Sequence, residues 1–423
     1  MQELSKFKNT QLGQIPEDWN INRLEEVSTI TRLAGYEYTE YWDPDPNGTI
    51  IALRGFNISG NKLDLRNVER ISEELSLKLK RSKLYKGDIV FPCVGSIGNA
   101  VLIEENNKYH INQNIAKLTA NSTIFPLFLT HILLSDISKH QIIKFNASTS
   151  QPNVLVGNLR KFYVPVPPFK EQQKIASILS NVDELIQKTD KIIKQTQSLK
   201  KGLMQRLLTK GIGHTKFKKS ELGEVPQDWI VKRLSDIGSI VGGGTPDTTK
   251  KDYWENGNIA WAVPTDLTGL NTNYIDKTER YITEKGLNNS AAKLLPVGAV
   301  LITSRATIGE CAITKIPITT NQGFQTIVCN NENNNHFIFY TIKFNKAKLV
   351  RKSHGTTFLE ISKTNIKSLK LSIPPLKEQL KISSILSNVD ELIQKQERDK
   401  YTLENLKKGL MEQLLTGKIR VKV

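Results

Sequence analysis

The sequence has little of what metal, redox or nucleotide chemistry needs. Its three cysteines, Cys93, Cys311 and Cys329, lie far apart and form no CxxC. An odd, sparse count argues against a disulfide framework or a zinc site and fits a reducing cytoplasm. The six histidines show no HxH or HExxH pairing. No GxGxxG or P-loop pattern occurs, and the Gly242-Gly243-Gly244 run lacks the spacing of a nucleotide loop. No acidic residue stands two before a lysine, so the tail of a PD-(D/E)xK nuclease site is missing. No stretch approaches the roughly 18 apolar residues of a membrane span. The opening MQELSKFKNTQLGQ has no apolar segment of a secretory signal. A cytoplasmic protein with no cofactor, no metal and no membrane partner is therefore expected, and nothing suggests a serine or cysteine nucleophile with a nearby histidine.

What is present suggests a multidomain binding protein. At about 100–200 residues per domain, 423 residues imply two or three domains. Hydrophobic residues at 38% and charged residues at 24% are globular values. Lys and Arg number 59 against 42 Asp and Glu, a formal charge of +17. That balance favours a polyanionic partner such as nucleic acid or an anionic membrane surface.

The chain repeats itself, the signature to seek first. QLGQIPEDWNINRL at 11–24 answers ELGEVPQDWIVKRL at 221–234. SILSNVDELIQK at 177–188 recurs without change at 384–395. PPFKEQQKI (167–175) matches PPLKEQLKI (374–382), and LKKGLM recurs at 199–204 and 406–411. The stretches between share only landmarks: KGDIVFPCVGSIGNAV with VGAVLITSRATIGECA, INQN with TNQG, STSQPNV with GTTFLEI. Each unit of about 200 residues thus has a variable part and a constant part. The expected segments are 1–166, 167–212, 213–373 and 374–423.

The constant parts read as long helices. Pro167-Pro168 and Pro374-Pro375 are helix-start signals. About 40 residues without proline follow, a span of roughly 60 Å if helical. A heptad runs through Ile175, Val182, Thr189, Thr196 and Leu203, with Ile178, Leu185, Ile192 and Leu199 three residues on. The second copy has Ile382, Val389, Gln396 and Leu403, with Ile385, Leu392 and Leu406. Such a pattern predicts a coiled-coil seam. The two helices are expected to pair antiparallel; the alternative is that each packs on its own globular half. Gly202 and Gly409 interrupt the helices, either as fraying or as sites of close approach by another backbone.

The variable parts carry short β-type runs (GTIIAL, GDIVF, NIAWAV, GAVLIT) between turn clusters, so each reads as an α+β domain. Polar loops recur at corresponding places. Arg54, Asn57, Ser96, Asn112, Gln113, Ser148, Thr149 and Gln151 are the candidates in the first; Gly243, Thr245, Thr265, Ser304, Arg305, Thr307, Asn321, Gln322, Thr356 and Thr357 in the second. Such side chains grip phosphates and read base edges. The charge is uneven: residues 1–166 hold 19 basic and 17 acidic side chains, a net of +2. Any nucleic-acid surface there must be a local patch. Val166-Pro167-Pro168-Phe169 looks like an amino-methyltransferase motif, but its twin Ile373-Pro374-Pro375-Leu376 lacks the aromatic residue, and both are better read as helix starts.

LGxIPxDWxxxRL opening each half, GGGTP, TSRATIG, TNQGF, GTTFLEIS and IPPLKEQLKISSILSNVDELI together resemble the specificity subunit of type I restriction–modification systems. The resemblance spans nearly the whole chain, with departures in the first half (SIGNAV, STSQPNV). It implies two target recognition domains in a pseudo-two-fold tandem repeat, each reading half of a bipartite site in double-stranded DNA. It implies constant helices that act as spacer and dock methyltransferase subunits, motor-nuclease subunits completing the complex, and no catalytic activity in the chain itself. The competing class is a coiled-coil scaffold that binds protein without DNA specificity.

Overall fold

A computed structural model describes residues 6–146, 153–353 and 359–422. The chain forms two compact units: Met1–Lys188 with Lys400–Val423, and Thr189–Asp399. The last segment of the chain therefore belongs with the first domain.

Unit 1 is a mixed α+β body. One antiparallel sheet has the order Val101–Leu102, Asp88–Pro92, Ile115–Ala120, Ser28–Arg32. A second has Tyr109–Ile111 parallel to Ile50–Leu53, which is antiparallel to Glu69–Ile71. Asp88–Pro92 is buried at all five positions, which accounts for its unbroken GDIVF run. Unit 2 repeats the order. Gly238–Gly242, Gln325–Cys329, Val300–Ile302 and Cys311–Thr314 answer the first sheet, with Tyr274–Ile275 added at the edge. Ile318–Thr320, Ile259–Ala262 and Arg280–Ile282 answer the second. The repeat thus survives in topology where little of it remains in sequence.

Two helices of 39 residues, Phe169–Leu207 and Leu376–Leu414, follow the Pro-Pro pairs. Each start is clamped to its domain. Pro168 O accepts from the backbone N–H of Glu171 and Gln172. The buried Glu171 carboxylate then accepts from the Trp19 indole at 3.1 Å and from Arg420 at 2.8 and 2.9 Å. Gln172 accepts from Phe125 N and donates to Thr123 O and Pro167 O. In unit 2, Glu378 accepts from Trp229 at 3.0 Å, His214 at 2.9 Å and Ile212 N at 2.9 Å. Gln379 accepts from Asn334 N and donates to Pro374 O. These bonds explain why the Asp-Trp and Lys-Glu-Gln motifs recur together. Gly417 and Gly211 are both at positive φ; a Cβ would collide with Pro16 at the first and with Glu378, His214 and Trp229 at the second.

The buried stripe of each helix lies one position off the heptad expectation. Ile175, Val182 and Ile382 are buried as predicted, and Ile178, Val389 and Leu403 are half-buried. Leu185, Ile192, Leu199, Ile385, Leu392 and Leu406 are exposed. Leu179, Ile193, Leu386 and Ile393, four residues after the first set rather than three, are buried instead. The sequence offers three apolar positions per heptad, and the domain cores settle which two turn inward: Ile175, Ala176 and Leu179 enter one core cluster, Ile382 and Leu386 the other. A Cβ at Gly202 or Gly409 would meet nothing within 4 Å.

The repeat twin of Asp183 is Asp390, and the two are satisfied differently. In unit 2, Asp390 accepts from Tyr340 Oη and Asn273 Nδ2, both at 2.7 Å, and pairs with Lys200. In unit 1, Asp183 pairs with Lys407 at 2.6 Å, while its second oxygen is buried with no hydrogen-bond partner among the described residues. His131 takes the place of Tyr340 there; its Nε2 lies 3.3 Å from Ser180 Oγ and its Nδ1 has no hydrogen-bond partner among the described residues. Burial pushes the His131 ring down to about 4, against the pull of Asp183. A ring whose folded pKa is depressed binds fewer protons than in the unfolded chain. Its stability contribution is whole above about pH 6.5 and is lost as pH falls toward 4. His131→Tyr should raise the melting temperature, and the variant should lose less of it between pH 7 and 5. An unchanged pH slope would remove His131 as a source of acid sensitivity.

Candidate nucleic-acid interface

In each unit the predicted polar loops are drawn to one end of the sheets by backbone hydrogen bonds. In unit 2, Asn321 N donates to Ala262 O, Ser304 N to Gly323 O, and Ile361 N to Ser304 O, while Arg305 bridges Glu360. In unit 1 the equivalents are Asn112 N to Leu53 O, Cys93 N to Asn114 O, and Val154 N to Cys93 O, with Val94 bridging Asn153. The same four links hold different side chains.

In unit 2, Thr245, Thr265, Arg305, Thr307 and Gln322 are exposed. Thr245 Oγ1 donates to Gln322 Oε1, joining the GGGTP and NQG loops. Gly243 passes so close to Asn321 O and Thr320 that any Cβ would clash. Glycine is therefore required there by backbone approach, and Gly243 offers no side chain to a ligand. Asn321 uses its Oδ1 to accept from Gly323 N, which shapes its own turn. Ser304 is 1% exposed and buried behind the loop, so it cannot reach a ligand directly. Ala306, at φ 58, holds the left-handed conformation at the tip, an unusual placement for a residue with a Cβ. Arg305 is not free: its Nε donates to Glu360 at 2.8 Å.

In unit 1, Gln113 is exposed beside Asn114, which adopts φ 65. Ser96 is half-buried, and its carbonyl accepts from Asn99. Arg54 and Asn112 are brought together by Glu69, which accepts from Arg54 at 3.3 Å, Asn112 at 2.8 Å and the Trp42 indole at 2.9 Å. The Arg54 guanidinium also lies over the exposed Phe56 ring. Asn57 is a correction: at 1% exposure its amide donates to Asp64 O and Asn67 O, so it braces the loop from within. Asn112, at 4%, is buried in the Glu69 cluster as well. Ser148, Thr149, Gln151, Thr356 and Thr357 lie outside the described residues. Glu69 and Trp42 escaped the sequence reading although a signal was there: Tyr41-Trp42 and Asn47-Gly48 recur as Tyr253-Trp254 and Asn256-Gly257, and Glu69-Arg70 as Glu279-Arg280.

The three cysteines are free, and burial pushes each thiol up to about 12, away from a reactive thiolate. Among the described residues no group of three His, Cys, Asp or Glu is placed to hold a metal, and no helix is long and apolar enough to cross a membrane.

Two tandem α+β units, each presenting a rim of polar loops, define a duplicated binding protein. The family described as "Type I restriction modification DNA specificity domain" matches residues 16–197 and again 226–405. A Methanocaldococcus jannaschii protein named for the MjaX type I restriction enzyme specificity subunit is 31% identical across 98% of this chain and 97% of its own. The MjaIX specificity subunit of the same organism is 39% identical over 45% of each chain. Among solved structures, the S subunit of a type I restriction–modification system from M. genitalium aligns with a TM-score of 0.59 at 16% identity, covering 94% of this chain and 96% of that one. The chain belongs to the type I restriction–modification DNA specificity family. It is a specificity subunit, a recognition component rather than an enzyme, and the protein-only scaffold reading is not favoured.

Arg305→Ala should weaken DNA binding by the assembled complex and flatten its salt dependence by about one unit of log–log slope if the side chain meets a phosphate. Fluorescence anisotropy at several salt concentrations checks this; an equal affinity with an equal slope would remove Arg305 from the interface.

Proposed function

We propose that the chain reads an asymmetric, two-part site in double-stranded DNA, one half per unit, and holds methyltransferase subunits on its long helices. The observation that carries this reading is the repeated set of four backbone links, which presents unlike side chains at equivalent places. Two frames of one kind with different contents suit two different half-sites. Specificity rests on placed loop residues, with Arg54, Gln113, Thr245, Thr265, Arg305, Thr307 and Gln322 the side chains best positioned for contact.

The helices act as a spacer by pairing antiparallel in a coiled coil. The Asp183–Lys407 and Asp390–Lys200 pairs support that register, since the two residue numbers of each pair have the same total. The exposed Leu185, Ile192, Leu199, Ile385, Leu392 and Leu406 then form apolar ladders for methyltransferase subunits. Two near-identical helical segments suit two copies, with motor-nuclease subunits completing the complex. The segments proposed are recognition domains at 1–166 and 213–373 and spacer helices at 167–212 and 374–423.

Co-expression with the methyltransferase subunit, followed by sequencing of methylated DNA, should yield one asymmetric two-part motif. Inserting one heptad in both helices adds roughly 10 Å, about three base pairs at 3.4 Å each. The unread spacer should lengthen by that amount with both half-sites unchanged. A changed half-site would overturn the spacer role.

A further inference from the structure

Unit 1 carries a net charge near zero in its globular part, so its grip on a polyanion needs a local concentration of positive charge. Eight arginines belong to this unit. Arg23, Arg54, Arg66 and Arg420 pair with carboxylates. Of the other four, three line a single cleft of about 340 Å³: Arg32, Arg81 and Arg160. No acidic residue lines it; the remaining lining comes from Thr31, Leu155, Gly157 and their neighbours. The larger cavity of this unit, about 740 Å³, mixes Asp136, Glu404 and Glu412 with its lysines and so has no single sign.

The cleft is built as well as charged. Arg160 is anchored by its Nη2, which donates to Ile30 O at 3.1 Å. The turn carrying Arg81 is tied down by Thr31 Oγ1, which donates to Arg81 O at 3.3 Å. Arg32 ends the edge strand opposite Ala116, two residues beyond Asn114, whose carbonyl holds the Cys93 loop. Leu155 follows directly on Val154, the residue bonded to that loop, and Gly157 comes two residues later. The three guanidinium groups therefore stand beside the recognition loops of unit 1, with exposed side chains and no carboxylate partner among the described residues. A guanidinium offers planar, paired N–H donors that match phosphate oxygens.

We propose that Arg32, Arg81 and Arg160 seat a backbone phosphate of the DNA whose half-site unit 1 reads. This rests on the DNA-reading function proposed above and adds to it a sequence-independent clamp next to the reading loops. The clamp supplies register, while the loops supply choice. It also gives the nearly neutral first domain its polyanion contact.

The test uses the chain assembled with its methyltransferase subunits. Arg32→Gln, Arg81→Gln and Arg160→Gln, singly and together, are compared with wild type for binding to cognate and non-cognate duplexes at 50 and 200 mM salt. The triple variant should bind both duplexes more weakly, by a similar factor. Loss of one phosphate contact should also cut the change across that salt range about threefold. The methylated motif should not change. Because Arg160 also braces Ile30, Arg160→Lys and melting curves separate folding from contact: the lysine variant should keep most of the salt dependence. Equal affinity and slope in the triple variant, beside a wild type that binds its site, overturns the clamp alone. A wild type that marks no two-part motif overturns the DNA-reading function itself. Inorganic phosphate that raises the wild-type melting temperature but not that of the triple variant, with DNA binding unaltered, would assign the cleft to a small free anion and also overturn the clamp.

Discussion

The fold depends on a hydrogen-bonded carboxylate at the start of each long helix, buried at Glu171 and half-buried at Glu378. Glu171 and Glu378 each accept the indole N–H of a fully buried tryptophan and a cationic or imidazole donor from the segment after the other long helix. A carboxylate in such a place is costly unless every lone pair is used. The donors to Glu171 come from two distant parts of the chain, Trp19 and Arg420, and those to Glu378 from one stretch, Ile212 to Trp229, so each bond set forms only when those segments meet the helix start. The neighbouring glutamine secures the same junction through main-chain groups. Removing one donor would leave charge buried, so the junction tolerates little change, in agreement with its near-identity in the two halves.

That junction also sets the rotation of the helices. Ile175, Ala176 and Leu179 are held in one core and Ile382 and Leu386 in the other, so the face turned inward is decided at the first two turns. The heptad alone left three apolar positions to choose from. Periodicity located the helices to within a residue or two of their starts and identified their amphipathic character, but it named Leu185, Ile192 and Leu199 for the seam when they face outward. The missing information lay in long-range contact with the domain, which the spacing of one segment does not contain.

The polar loops show the same limit in another form. Residue type and recurrence marked the right loops, and backbone bonds gather them at one rim in each unit. Which side chain faces out was not legible. Asn57 and Gln113 look alike in sequence, yet one is spent inside its loop and the other is exposed. Arg305 and Glu360 are 55 positions apart in the chain and meet only after folding. The arginines of the first unit's cleft were invisible for a related reason: Arg32, Arg81 and Arg160 share no motif and become a group only when an edge strand, a short turn and the segment before Tyr163–Val166 come together.

The rim frame is made of main-chain N–H and C=O groups, which every residue other than proline possesses. A frame of that kind is blind to the side chains it carries. After a duplication, the two copies were free to diverge in the loops without dismantling the scaffold, whereas the junction residues had no such freedom. The contrast between the Lys-Glu-Gln triplet kept at 170–172 and 377–379 and the scattered landmarks of the loops then follows where the carboxylate junction constrains the sequence and where the frame leaves it open to new recognition.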